Sequence, residues 1–298
     1  MPELPEVETI RRQLAPSLEG RTLERLDVLD ARWCEPAAPD EVGAAASGRR
    51  IERLTRRGKY LTVELEDEVH VVMHLRMTGN LLLVSAGEER ERVRARFALD
   101  SGQDVLFCDV RRFGTGVVLL GDEARDAYFE ERLGVEPLGP DFTAEALRAL
   151  AKGRRAPVKA FLLSQERVAG VGNIYADEAL FRARIHPLRP VGTLKRAQVE
   201  ALRDAVVEVL EAGIDSRGAT IDDFRNVDGV SGAFQDRFLA YGREGEPCVR
   251  CGGPMRKLRA AGRGTYVCER CQPRPRVRRV RQPAGRAGRP SGLPRAAP

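Results

Sequence analysis

The chain has 298 residues, 42% apolar and 32% charged, enough for two domains of ordinary size, each with its own core. No apolar run approaches the roughly 18–20 residues of a membrane-spanning helix. The opening MPELPEVETI holds three glutamates and no basic residue before Arg11, which argues against a secretory signal and for the cytoplasm. The formal charge of +6 is unevenly placed: residues 273–298 contain eight arginines and no acid, leaving 42 basic against 44 acidic side chains in the rest. Local excesses stand on that near-neutral body, nine basic against three acidic over 153–196 and seven against three over 241–272. Such surfaces suit a phosphate backbone, although a solvated charged face has the same composition.

In chain order, residues 3–19 read as a helix, with Pro and acids in the first turn and Ile10, Leu14 and Leu18 at helical spacing. From about 22 to 120 the pattern turns to short β-type runs at 59–65, 69–75, 80–84, 93–99 and 104–110, a sandwich or barrel-like β domain. The stretch GVEPLGPDF at 134–142 reads as a linker. Helical patterns follow at 143–151, 157–165, 173–182 and 194–212, then a Gly- and Asp-rich loop over 213–233. From Pro273 the composition is Pro, Arg and Gly, that of a disordered tail.

Two pairs, Cys248-x-x-Cys251 and Cys268-x-x-Cys271, stand sixteen residues apart. Each pair can turn two thiolates onto one ion, and two pairs close a tetrahedral site that suits one structural zinc ion, with no position left for water. The intervening MRKLRAAGRGTYV reads as a β-hairpin. Cys34 and Cys108 lie outside this module and read as ordinary buried residues.

Pro2 is followed by Glu3, Glu6 and Glu8. With Met1 removed, Pro2 presents a secondary amine that can form an iminium ion on an electrophilic carbon, the Schiff-base logic usually given to lysine. A terminal amine, with a reference pKa of about 8, is neutral far more often at physiological pH than a lysine at about 10.4. Glu3 is placed to move protons and Glu6, one turn on, to orient the site. A proline in a first helical turn, with acids complementing the helix dipole, is the plainer account of the same residues. GVGN at 170–173 offers glycines and an amide at a helix start, where free N–H groups favour a phosphate; a glycine-turn cap is the plainer account there.

The string MPELPEVE resembles the opening of the bacterial formamidopyrimidine-DNA glycosylases. The resemblance continues through RRGKYL (56–61), HLRMTG (74–79), DVRRFG (109–114), AGVGNIYADEALF (169–181) and the segment from YGREGEPCVRCG to AGRGTYVCERCQ. It covers nearly all of residues 1–272, in the family's order. It implies an α+β multidomain fold: a catalytic β-sandwich with an N-terminal helix (1–133), a linker (134–142), a helix-two-turn-helix DNA-binding domain (143–240) and a zinc-finger hairpin (241–272). It further implies excision of 8-oxoguanine and formamidopyrimidines from duplex DNA by a monomeric, cytoplasmic, nucleoid-associated repair enzyme, then strand cleavage at the abasic site by β and δ elimination.

By the same resemblance Pro2 is the nucleophile, Glu3 the proton donor and acceptor, and Glu6 an orienting residue. Lys59, the only lysine before residue 152, acts in β elimination and on phosphate, and Arg263 in δ elimination and on phosphate. His74, Arg112 and Asn173 contact DNA. Met77, Arg111 and Phe113 fill the space left when the damaged nucleotide leaves the stack, which costs a few kcal/mol of unstacking; by composition alone Met77 and Phe113 read as core. The loop 215–233 corresponds to a base-capping loop.

Two positions depart from the family pattern: Arg76 stands where many members have Gly, and Val110 where many have Pro. If position 76 needs a positive φ, arginine is strained there. Leu4 favours the purine branch over the endonuclease VIII-like branch, which typically has Gly at that position. Two alternatives stay open: a glycosylase of that second branch acting on oxidised pyrimidines, and a non-enzymatic zinc-finger DNA-binding protein. If the arginine tail holds phosphates, deleting residues 273–298 flattens the salt dependence of DNA binding, read as the slope of log K against log salt; an unchanged slope removes the tail from the interface.

Overall fold

The computed structural model describes residues 2–220, 227 and 230–275. Most of the expected capping loop's centre and the arginine tail from 276 therefore lie outside the described residues. The first half runs α1 (Leu4–Leu18), β1 (Thr22–Val28), a 3-10 turn (Ala31–Trp33), α2 (Pro39–Ala46), β2 (Arg49–Arg57), β3 (Tyr60–Leu65), β4 (Val69–His74), β5 (Gly79–Ser85), β6 (Val93–Leu99), β7 (Gln103–Asp109), β8 (Thr115–Leu120) and α3 (Asp122–Arg132). The second runs α4 (Ala144–Ala151), α5 (Val158–Leu163), α6 (Asn173–Arg182), α7 (Arg196–Asp215), β9 (Arg256–Ala260) and β10 (Arg263–Val267).

The eight strands of the first half pair antiparallel in the order β5-β7-β6-β1-β2-β3-β4-β8. The join in the middle is narrow: β1 and β2 pair only at Thr22–Arg50 and Leu23–Arg49. This lets the two ends of the sheet share one apolar interior, the sandwich-like arrangement expected from the alternating runs. Trp33, 2% exposed, meets Phe97 of β6 and Phe107 of β7 edge-on, at 6.2 and 5.7 Å between ring centres. Its other side abuts β8, where a Cβ added at Gly116 would lie 2.1 Å from the indole. One indole thus ties β6 and β7 to β8 from the far end of the sheet.

The second half has its own core, built on Phe142, Phe161, Leu162, Tyr175, Leu202 and Phe234. Helix α1 belongs to both. Val7, Ile10, Leu14 and Leu18 enter the β core, whereas Leu4 packs into the helical one. Its backbone N–H reaches Gly170 O at 3.1 Å, and Gly170, at φ +80°, lies so close that a Cβ would sit 2.5 Å from Leu4 Cδ1. The first two turns of α1 are consequently buried almost all round, and only the later turns show the apolar stripe of a surface helix.

Helices α2 and α3 have no counterpart in the sequence reading. α3 (DEARDAYFEER) buries no residue and α2 buries only Val42 and Ala46, so neither has the periodic apolar face that announces a helix. The segment 134–142 is not a loose tether: Gly134 N bonds Gln165 O, Val135 bridges Val168, and Phe142 is fully buried. Of the two lone cysteines, Cys34 is buried and Cys108 only partly so.

Because Gly116 leaves no room for a methyl group, Gly116→Ala must push the indole or bend β8. Overpacking of this kind costs about 1–3 kcal/mol. The variant should melt several degrees lower in a thermal unfolding scan; an unchanged midpoint would show that the Trp33 contact is soft.

Candidate active site

A cleft of about 350 Å³ runs between the two halves, lined among others by Glu3, Lys59, His74, Arg76, Met77, Gly172, Asn173, Tyr241 and Arg263. It thus brings together residues drawn from six separate stretches of the chain. Pro2 is buried beside Glu3 but is not among the lining residues. With Met1 attached, its nitrogen is an amide, so it becomes an amine only once Met1 is removed.

Glu3 is the best-defined group of the site. Its carboxylate, 2% exposed, faces the first turn of α6, and Oε1 accepts from Ile174 N at 3.2 Å. An anion is favoured there by the unpaired N–H groups and the dipole of the helix. Oε2 has no hydrogen-bond partner among the described residues. The approach requires Gly172, since a Cβ there would lie 2.2 Å from the Glu3 carboxyl carbon. The glycine-turn motif therefore admits a carboxylate to the helix start, which its sequence alone does not reveal.

Glu6 holds Glu3 in place. Its carboxylate accepts from Glu3 N (2.8 Å), the Tyr175 hydroxyl (2.7 Å) and Ala219 N (2.8 Å). Burial, reinforced by the neighbouring Glu3 charge, raises its pKa, while the three hydrogen bonds oppose the rise. Gly218 (φ +79°) clears the space on the far side, where a Cβ would lie 2.9 Å from Glu6 Cγ.

Lys59 enters from the turn between β2 and β3 and is buried, which lowers its pKa against the pull of Glu3 and Glu6. Glu136 clamps that turn: its carboxylate accepts from Gly58 N (2.8 Å) and from Arg56 (2.7 Å), and Arg56 also pairs with Glu8 at 3.2 Å. His74 closes the end of β4, its Nδ1 accepting from Arg76 N at 2.9 Å, so the ring proton sits on Nε2. Burial, with the Arg76 and Lys59 charges, pushes its pKa down to about 3, so it meets a ligand as a neutral donor.

The wedge candidates Arg111 and Phe113 occupy the loop after β7. Asp109 organises it, accepting from Thr78 Oγ1, Arg111 N, Phe113 N and Gly114 N. Phe113 is 51% exposed with the Arg111 guanidinium 4.8 Å above its ring, so it is not the core residue its composition suggests. Arg112, at φ +58°, grips Asp30 through two bonds of 2.6 and 2.7 Å, which anchors the loop to the 3-10 turn.

The four cysteine sulfurs all lie within 4.8 Å of one another, with Cys248–Cys271 at 3.9 Å and Cys251–Cys268 at 3.5 Å. A tetrahedral zinc ion with Zn–S bonds of about 2.3 Å sets S–S edges of roughly 3.8 Å, so the four thiolates fit it. The knuckle is fixed to α6: Arg250 donates to Phe181 O (2.6 Å) and Arg182 O (3.2 Å), capping that helix's C-terminus.

Sequence reasoning missed a further anchor. Lys159 and Asp177, both fully buried, form an ion pair at 2.7 Å. Lys159 also donates to Thr265 Oγ1 (2.8 Å) and Gly264 O (3.2 Å), Asp177 accepts from Tyr266 N (3.1 Å), and Asn173 Nδ2 reaches Gly264 O (3.2 Å). Strand β10, which begins at Arg263, is thereby held in register against α6. Tyr241 was missed as well; Glu178 accepts from the backbone N–H groups of residues 239–241 and so sets its position.

Known proteins resemble the chain along its length. Residues 1–116 match the formamidopyrimidine-DNA glycosylase N-terminal domain, 133–225 the H2TH domain of the same glycosylases, and 245–274 a zinc finger found in FPG and IleRS. A formamidopyrimidine-DNA glycosylase of Chloroflexus aurantiacus is 44% identical over 274 residues, 91% of this chain and 98% of that one. A Lactococcus lactis FPG mutant in complex with Fapy-dG-containing DNA superposes with a TM-score of 0.86 at 32% identity, covering 92% and 100% of the two chains. The wild-type L. lactis protein bound to DNA containing an oxidised pyrimidine gives 0.84 at 32% with the same coverage.

Stripping the metal with a strong chelator should loosen residues 248–271 and release the grip of β10 on α6. We expect one equivalent of zinc in the chelate and at least a tenfold loss of DNA affinity, restored by added zinc. Retained affinity in metal-free protein would separate the hairpin from binding.

Proposed function

The chain belongs to the formamidopyrimidine-DNA glycosylase family, and from that premise we propose how its residues divide the work of a DNA glycosylase with AP lyase activity. Its substrate is DNA carrying oxidised bases or abasic sites. The catalytic β domain (1–133) and the helix-two-turn-helix domain (143–240) with its zinc hairpin (241–272) take the duplex between them. An enzyme of genomic DNA works in the bacterial cytoplasm; we extend this to association with the nucleoid and to action as a monomer.

In the proposed sequence the Pro2 amine, freed of Met1, attacks C1′ of a nucleotide turned out of the duplex. The C1′–N bond to the base breaks, its electron pair leaves with the base, and a C1′–N bond to Pro2 replaces it. The C1′–O4′ bond then opens: Glu3 protonates O4′, the Pro2 nitrogen gives up its proton and its electron pair forms the C1′=N bond of an iminium ion, and Glu3 later accepts a proton. The iminium ion makes the C2′ proton acidic, so its removal expels the 3′ phosphate, and a second elimination expels the 5′ phosphate. Lys59 assists the first elimination and Arg263 the second. His74, Arg112 and Asn173 hold the backbone; Met77, Arg111 and Phe113 occupy the vacated stack. The observation that carries this reading is the Glu3 carboxylate: buried, one oxygen tied to Ile174 N, the other unpartnered among the described residues, in a residue that lines a cleft also holding Lys59, Asn173 and Arg263.

Oxidised purines are the proposed main substrates. Oxidised pyrimidines are a second class, favoured by the L. lactis complex with such DNA. Paired excision assays on 8-oxoguanine and an oxidised pyrimidine rank the two.

Borohydride added during reaction with an 8-oxoguanine duplex should reduce the iminium to a covalent adduct in protein that lacks Met1. A form retaining residues ahead of Pro2 should give none, and Glu3→Gln should lower base release by at least a hundredfold. Equal trapping with the N-terminus blocked would overturn the assignment of Pro2.

A further inference from the structure

Arg76 is held in a left-handed conformation, φ +53°, which side chains other than glycine rarely adopt. The tight turn after β4 imposes it. Leu75 O accepts from Gly79 N at 2.9 Å, and a Cβ at Gly79 would lie 2.4 Å from that oxygen, so the turn cannot open without losing its closing bond. Arg76 N is meanwhile committed to His74 Nδ1. Both constraints act on the main chain, and neither uses the arginine side chain.

Glycine would meet this geometry without strain, so the arginine side chain needs another reason to be there. Of the other arginines at positive φ, Arg112 is bound by Asp30. The Arg76 side chain has no ion pair or hydrogen bond among the described residues, is exposed, and lines the cleft beside His74 and Met77. Among its described lining residues the other cations are Lys59 and Arg263, and the only acid is Glu3. A free guanidinium added to that row is poised for an anion, and the anion a DNA substrate brings is phosphate.

We propose that Arg76 is a DNA-phosphate contact, a binding residue for which this chain accepts a strained backbone. The proposal rests on the glycosylase reading above, and wild-type excision is measured first so that the two fail separately. Arg76→Gly removes the guanidinium and relieves the backbone, so binding and stability should move apart. We expect a melting temperature equal to or above wild type, several-fold weaker binding to an abasic-site duplex near 0.1 M salt, and a salt slope smaller by about one. Arg76→Lys should recover most of the slope. Wild-type affinity and slope in Arg76→Gly would overturn the proposal. So would a changed opposite-base preference with an unchanged slope, which would mark a base contact.

Discussion

The molecule is organised around two carboxylates brought to the start of one helix. Glu3 stands at the N-cap of α1 and Glu6 in its first turn, and both are spent on the first turn of α6 and its surroundings: Glu3 on Ile174 N, Glu6 on the Tyr175 hydroxyl and Ala219 N. Burying two acids so close together is unfavourable unless donors surround them. Here backbone N–H groups, a tyrosine and a helix terminus serve, and Gly172 and Gly218 leave the room. If the carboxylates shifted, the N-terminus, the cleft wall and the packing of the two halves would shift with them.

Helix α6 carries the consequences outward. Asp177 meets Lys159 and Tyr266 N, Glu178 gathers the backbone of residues 239–241, and the carbonyls of Phe181 and Arg182 receive Arg250. Ten residues thus connect the N-terminal segment, the cleft and the metal module. Removing one member of the buried Lys159–Asp177 pair would leave its partner charged and unpaired, which is far costlier than losing a surface ion pair. That asymmetry makes the hairpin's seat specific.

How much of this the sequence discloses depends on the range of the interaction. The zinc ligands are legible because the spacing within each cysteine pair is itself the geometry. The opening helix and most strands are legible because local periodicity records which face is buried. The roles proposed for Pro2, Glu3, Lys59 and Asn173 come from ordered motifs resembling a family; a lone proline or glutamate is better explained by helix-start preferences. Lys159 and Tyr241 are not legible, since a buried lysine and a cleft tyrosine look locally like their solvent-facing counterparts. α3 escapes notice because seven of its eleven residues are charged and none is buried, and the packing of 134–142 because its partners, such as Gln165 and Val168, lie some thirty residues on.

The membership of α1 in both cores bears on how the protein comes apart. Regions that open on their own are those with few buried contacts, and the ends of a chain are usually among them. Here the opposite holds, because releasing the first turn of α1 strips Leu4 from one core and loosens Val7 and Ile10 in the other. Fraying of this terminus therefore gives up burial in two cores at once. The segment that follows the proposed nucleophile is thus seated in both halves of the molecule at once.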